Sequence, residues 1–125
     1  MPRRILVVED DEKSRRLLCD VLGYHGFEVV AACSGEQGLL EARAHSPDAA
    51  LLDIQLPGIS GFDVLAQLRS DAGSAPMPIL AVTASVMDQD RRKILAAGFD
   101  AYVAKPVNIR EMLDTLNALL AKVDS

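Results

Sequence analysis

Arg4-Ile5-Leu6-Val7-Val8-Glu9-Asp10-Asp11-Glu12 is the stretch that decides the fold. A short aliphatic run ends abruptly at four consecutive acids. Such a run is long enough for a buried strand and too short for a helix, a bilayer span or the apolar region of a secretory signal. Runs of the same kind recur at residues 28–31, 49–52, 79–82 and 101–103, with amphipathic stretches between them. Leu17, Leu18, Val21 and Leu22 form the first apolar stripe, with Gly23 and Gly26 as stop signals. Leu39, Leu40 and residues 42–44 predict a second helix that begins after Ser34-Gly35. Val64, Leu65 and Leu68 mark a third, and Ile94, Leu95 and Ala97 a fourth, closed by Gly98. Met112, Leu113, Leu116, Leu119, Leu120 and Val123 give the cleanest helical period, in a last helix.

Five βα repeats predict an α/β chain: a doubly wound, five-stranded parallel sheet with helices on both faces, because right-handed crossovers are the connections that pack. Residues 71–78 are the one stretch rich in Gly, Pro and Ser and read as a surface connection. Residues 1–125 are expected to form one domain.

Bulk composition agrees. The chain is 50% hydrophobic and 25% charged, as globular proteins are. Its net charge of -5 argues against nucleic acid and anionic membranes, whose phosphates reward clustered Lys and Arg. Cys19 and Cys33 have neither metal-ligand nor disulfide spacing and are expected as buried or half-buried thiols in a reducing cytoplasm.

In an open parallel α/β sheet, ligands bind beyond the carboxyl ends of the strands, where strand order reverses. Glu9, Asp10 and Asp11 follow the first strand, and Asp53 ends the third. Thr83 and Ala84 end the fourth, and Lys105-Pro106 follow the fifth. In the order 2-1-3-4-5, strands 1, 3 and 4 are neighbours about 4.8 Å apart, so Glu9, Asp10 and Asp53 face one another. Thr83 lies one strand further, and Lys105 reaches back on its four-carbon stem. Clustered carboxylates repel and need a cation, and oxygen ligands without His or Cys suit Mg²⁺. Lys105 adds a fixed positive charge and Thr83 a hydroxyl, which together can hold the oxygens of a phosphoryl group on Asp53. Small Ala84 and Ser85 after Thr83 leave room for such a group.

Four segments carry a resemblance: Val7-Val8-Glu9-Asp10, Leu52-Asp53-Ile54-Gln55-Leu56-Pro57-Gly58-Ile59-Ser60-Gly61, Val82-Thr83-Ala84 and Tyr102-Val103-Ala104-Lys105-Pro106. Their order and intervals over nearly the whole chain resemble the receiver domain of two-component response regulators, a flavodoxin-like (βα)5 fold. The resemblance implies that Asp53 accepts a phosphoryl group from the phosphohistidine of a sensor kinase or histidine phosphotransfer protein. It implies Mg²⁺ as cofactor, with Asp10 and Asp53 as ligands, Glu9 acting through water, and the backbone carbonyl of Gln55 as a further ligand. Lys105 would bind phosphoryl oxygens, the Lys105–Pro106 bond would be cis, and Thr83 with Tyr102 would form the switch. The fourth helix, fifth strand and fifth helix would be the surface changed for a downstream protein target. Leu56 stands where Met is frequent, and Gln55 lies where the family tunes phosphate lifetime.

Each residue also has a plainer reading. Asp11 and Glu12 are best explained as acids at a helix N-terminus. His25 and His45 are expected to face solvent, and Arg91, Arg92 and Lys93 to form a solvated helix face. Tyr102 alone could be a half-buried strand aromatic. Three rival functions remain: a docking module that no longer cycles phosphate, a magnesium phosphohydrolase, and a flavin binder. Gln55 stands where the hydrolase needs a second acid, and the acidic turn after the first strand disfavours flavin phosphate. The Met1 start and the tail Lys122-Val123-Asp124-Ser125, with no output domain after it, fit an independent single-domain regulator.

Overall fold

The structure, a computed structural model, describes residues 2–71, 73–84 and 88–124. Met1, Ser85 and Ser125 lie outside the described residues. The elements alternate as β1 (Arg4–Val8), α1 (Glu12–Tyr24), β2 (Glu28–Ala32), α2 (Gly35–His45), β3 (Ala49–Asp53), α3 (Gly61–Ser70), β4 (Ile79–Thr83), α4 (Asp88–Ala97), β5 (Ala101–Ala104) and α5 (Ile109–Asp124). All strand pairs are parallel and the order is β2-β1-β3-β4-β5, as expected for the flavodoxin-like arrangement.

Side chains alternate across the sheet and divide the core in two. Leu6, Val8, Ala50, Leu52, Ile79 and Ala81 pack against Leu39 of α2, Val64, Leu65 and Leu68 of α3, and Ile94 of α4. Ile5, Val7, Ala49, Leu51, Leu80, Val82 and Val103 pack against Leu18 and Leu22 of α1 and Met112, Leu116 and Leu120 of α5. Each fully buried aliphatic side chain contributes about 1.5–3 kcal/mol of transfer free energy, so strands covered on both faces must be apolar throughout. This requirement made the runs readable as strands.

The helix ends show where local chemistry acts. Asp11 caps α1 by accepting from Ser14 N–H, which holds its carboxyl below the usual range. Ser34 caps α2, and Ser60 with Asp63 forms a reciprocal capping box on α3. Helix α1 runs through Gly23 to Tyr24, so Gly23 is no stop signal; the reversal falls at Gly26, with φ 89°. Gly98, φ 116°, follows the last residue of α4 as expected. Leu17, Leu40, Leu95 and Val123, counted into apolar stripes by period, face solvent; Leu17 lines a cleft with Pro106 and Val107.

Two further expectations change. Cys19 is half-buried as expected, but Cys33 is exposed, because it follows β2 and turns toward Gln37 of α2. The connection after α3 is less superficial than its composition suggests. Met77 is buried, and Arg69 donates to the carbonyls of Ala75, Met77 and Gly98 and to Asp100. Among the described residues no helix is long and apolar enough to cross a membrane.

Candidate functional site

The carboxyl edge of β1, β3, β4 and β5 gathers the residues singled out from sequence. Glu9 follows β1 and is anchored by its own N–H, which donates to Ala32 carbonyl at 3.0 Å. Asp53 is the last residue of β3 and pairs in register with Val82; Ile54 N–H then donates to Val82 carbonyl at 3.1 Å. Lys105 follows β5, its N–H bonded to Thr83 carbonyl at 2.7 Å, and the Lys105–Pro106 bond is cis, as the resemblance implied.

The side-chain alternation that divides the core also sorts the site. Glu9, Asp53 and Lys105 continue the parity of Val7, Leu51 and Val103, toward α1 and α5. Their contacts follow: Lys105 Nζ lies 2.7 Å from Asp53 Oδ2, 3.2 Å from Glu9 Oε1 and 3.1 Å from Glu9 Oε2. Thr83 and Tyr102 continue the other parity; Thr83 is 4% exposed, and Tyr102 is half-buried against the α2–α4 core. Arg91 stands with its guanidinium 5.8 Å from the Tyr102 ring centroid, and Lys93 with its amine 5.1 Å from that of Phe62. Both belong to an exposed helix face, as read from sequence. His25 and His45 are also exposed.

Glu9 is 1% exposed and Asp53 3%, whereas Asp10 is exposed at the rim. Burial raises the Glu9 carboxyl above its ordinary value, with the Asp53 carboxylate adding to the shift and Lys105 opposing it. Burial works to lower Lys105, but its hydrogen bonds and charge contacts with Asp53 and Glu9 outweigh this and hold the ammonium above the usual range. One ammonium therefore serves two buried carboxylates, with a third carboxylate beside them.

One carboxylate oxygen from each of Glu9, Asp10 and Asp53 lies within 4.8 Å of the others. Glu9 Oε2 is buried and, although close to Lys105 Nζ, accepts no hydrogen bond. A buried oxygen that accepts no hydrogen bond, among three carboxylates with one ammonium and neither His nor Cys in the group, fits a hard divalent cation. Gln55 is exposed after β3; its N–H donates to Asp53 Oδ1 at 2.9 Å. Two further residues make contacts that carry no local sequence signal. Arg15 of α1 donates to the carbonyls of Glu9 and Asp10 at 3.0 and 3.4 Å, and Glu36 of α2 accepts from Ile59 N–H.

An acidic, lysine-bridged pocket thus lies at the carboxyl edge of a doubly wound 2-1-3-4-5 sheet. The family model of the response regulator receiver domain matches residues 5–117. The polar-differentiation response regulator DivK of Brucella anthropi is 36% identical over 120 residues, spanning 96% of this chain and 98% of DivK. A CheY-like receiver domain protein from Methanospirillum hungatei superposes with a TM-score of 0.89 at 30% identity, covering 98% of this chain and 96% of that one. The receiver domain of a sensor histidine kinase from Pseudomonas aeruginosa, solved with a magnesium ion coordinated in its active-site cleft, gives a TM-score of 0.89 at 29% identity over 97% of this chain and 99% of that one. The chain belongs to the response regulator receiver domain family.

Proposed function

We propose that the chain is a cytoplasmic signalling switch, working as a single receiver domain, in which Asp53 accepts a phosphoryl group from a phosphohistidine. The donor is a sensor histidine kinase or a histidine phosphotransfer protein. An Asp53 oxygen attacks phosphorus, the P–N bond breaks, and its electron pair returns to the imidazole. Lys105 Nζ and the Thr83 hydroxyl then donate to phosphoryl oxygens. Glu9, Asp10, Asp53 and the Gln55 carbonyl would hold Mg²⁺. When bound, the ion neutralises charge on the phosphoryl oxygens during transfer. Thr83 and Tyr102, which share one face of the sheet, relay the change to α4, β5 and α5, where a downstream protein target docks.

The observation that carries this reading is the buried Asp53, its Oδ2 2.7 Å from Lys105 Nζ and its carboxylate grouped with those of Glu9 and Asp10. The docking-module and phosphohydrolase readings gain no comparable support, and exposed Gln55 supplies no second acid. Incubation with acetyl phosphate and Mg²⁺ followed by intact mass measurement tests the proposal. One phosphoryl mass is expected, and excess EDTA should suppress it by orders of magnitude. Full incorporation in EDTA would remove the metal from the reaction.

Lys105→Ala yields a separate expectation with an informative sign. The ammonium competes with a divalent ion for Glu9 and Asp53, so its removal should tighten Mg²⁺ binding by about tenfold or more, since a unit charge a few ångströms from a divalent ion costs more than about 1 kcal/mol even at the dielectric of water. The same change leaves two buried carboxylates without a counter-charge and lowers the melting temperature in metal-free buffer. Calorimetric titration and thermal melts with and without Mg²⁺ check both. Weaker Mg²⁺ binding in the variant would count against the shared-charge account.

A further inference from the structure

Residues 54–60 connect β3 to α3 and carry Gln55, whose N–H holds Asp53 Oδ1. Both ends of this loop are fixed by neighbours. Ile54 N–H donates to Val82 carbonyl, Gly61 N–H donates to Ile54 carbonyl, and Ser60 enters the capping box of α3. The residue before Ser60 is tied to a distant element. Ile59 N–H donates to Glu36 Oε1 at 3.2 Å, from the loop to the first turn of α2, 23 residues away in sequence.

Three observations show that this contact is built into the packing. Gly58 has φ 77°, and a Cβ there would lie 2.9 Å from Glu36 Oε1, so the glycine both permits the turn and leaves space for the carboxylate. Gly35, beside Glu36, would bring a Cβ to 2.6 Å from both Ile59 Cγ1 and Val64 Cγ2, so the start of α2 is pressed directly on the loop. The Glu36 carboxyl is held below its ordinary range by the backbone amides of its own residue and of Ile59.

We infer that Glu36 is a positioning residue for the divalent-ion site. By latching Ile59 it fixes the loop, and through the loop the Gln55 backbone and the Asp53–Gln55 contact. The inference rests on the reading of Glu9, Asp10, Asp53 and Gln55 as the ion's holders. Glu36 is exposed, so its hydrogen bond adds little to global stability. Its effect should appear instead in ion affinity, which depends on ligands being held within about half an ångström.

The test is titration of the full chain with Mg²⁺ alone, followed by the amide resonances of Gln55 and Ile59, with thermal melts in metal-free buffer alongside. Glu36→Ala should weaken Mg²⁺ binding about three- to tenfold, below the range of more buried outer-shell partners, with the melting temperature nearly unchanged. Glu36→Gln keeps the accepting oxygen and should restore most of the affinity. Wild-type-like affinity in Glu36→Ala overturns the inference, as does a Glu36→Gln variant as weak as the alanine. A large drop in melting temperature would assign Glu36 to stability instead. No saturable response in the wild type would overturn the metal reading itself, an outcome distinct from the other three.

Discussion

Asp53→Asn leaves the chain folded and takes up no phosphoryl group. Incorporation from acetyl phosphate should fall at least ~10³-fold, below detection by intact mass, because an amide oxygen is a poor nucleophile with no negative charge to share with phosphorus. The fold should tolerate the change because the amide matches the carboxylate in shape. Its oxygen can still accept from Lys105 Nζ, and the Lys105–Glu9 pair remains. Circular dichroism and a cooperative melt verify that the loss is chemical. Mg²⁺ affinity should also fall, since one of three grouped carboxylates loses its charge. The wild-type adduct should be released by hydroxylamine, as acyl phosphates are. The informative failure is labelling of Asp53→Asn at the wild-type level. That result would move the acceptor to another carboxylate of the group, of which Asp10 is the exposed one.

Most of the fold was legible because buried parallel strands must be apolar on both faces, which writes them into the sequence as uninterrupted runs. Their ends were less legible. β2, β3, β4 and β5 each extend one residue past the apolar run, to Ala32, Asp53, Thr83 and Ala104. In β3 and β4 the hydrogen-bond ladder continues after hydrophobicity stops, and the candidate site residues Asp53 and Thr83 sit on that last rung; Ala32 and Ala104 are themselves apolar and lay past the runs only by count. Helix faces were misjudged where period alone was the guide. Leu17 and Leu40 share the spacing of buried neighbours yet point to water, since the buried arc of a short helix on a sheet is narrower than a two-turn count suggests.

The site divides the same way. Glu9, Asp10, Asp53, Thr83 and Lys105 could be placed from sequence because strand order converts distant positions into neighbours. Their unequal burial could not. Nothing in Glu9-Asp10 says that the first is enclosed beside Lys105 and the second open to water; side-chain alternation at the end of β1 decides it. Arg15 and Glu36 were invisible for another reason. Their partners are backbone carbonyls and an amide, which every residue has, so no residue type marks the contact.

Gly61→Ala should destabilise the chain although propensity alone predicts the opposite. Gly61 is the first residue of α3, where alanine gains up to about 1 kcal/mol over glycine. A Cβ there would run into Asp53 O and lie 2.6 Å from Ile54 Cα, both backbone atoms of the strand end and the loop it enters. Neither can rotate away as a side chain could, so α3 must lift or β3 must bend. Overpacking costs about 1–3 kcal/mol, and a clash with unyielding backbone sits at the upper end, which outweighs the propensity gain and leaves a net loss of roughly 2 kcal/mol. For a domain of this size that lowers the melting temperature by roughly 6–10 °C. Phosphoryl incorporation should fall as well, since the displaced atoms belong to the proposed acceptor. Gly23→Ala is the matched control. Gly23 lies within α1 with nothing within 4 Å of its added Cβ, so the same substitution there should stabilise by about 0.5–1 kcal/mol. Thermal melts of the two variants decide the matter. If Gly61→Ala melts at or above the wild type while Gly23→Ala is stabilised as expected, the close approach of α3 to Asp53 is not what this glycine is needed for.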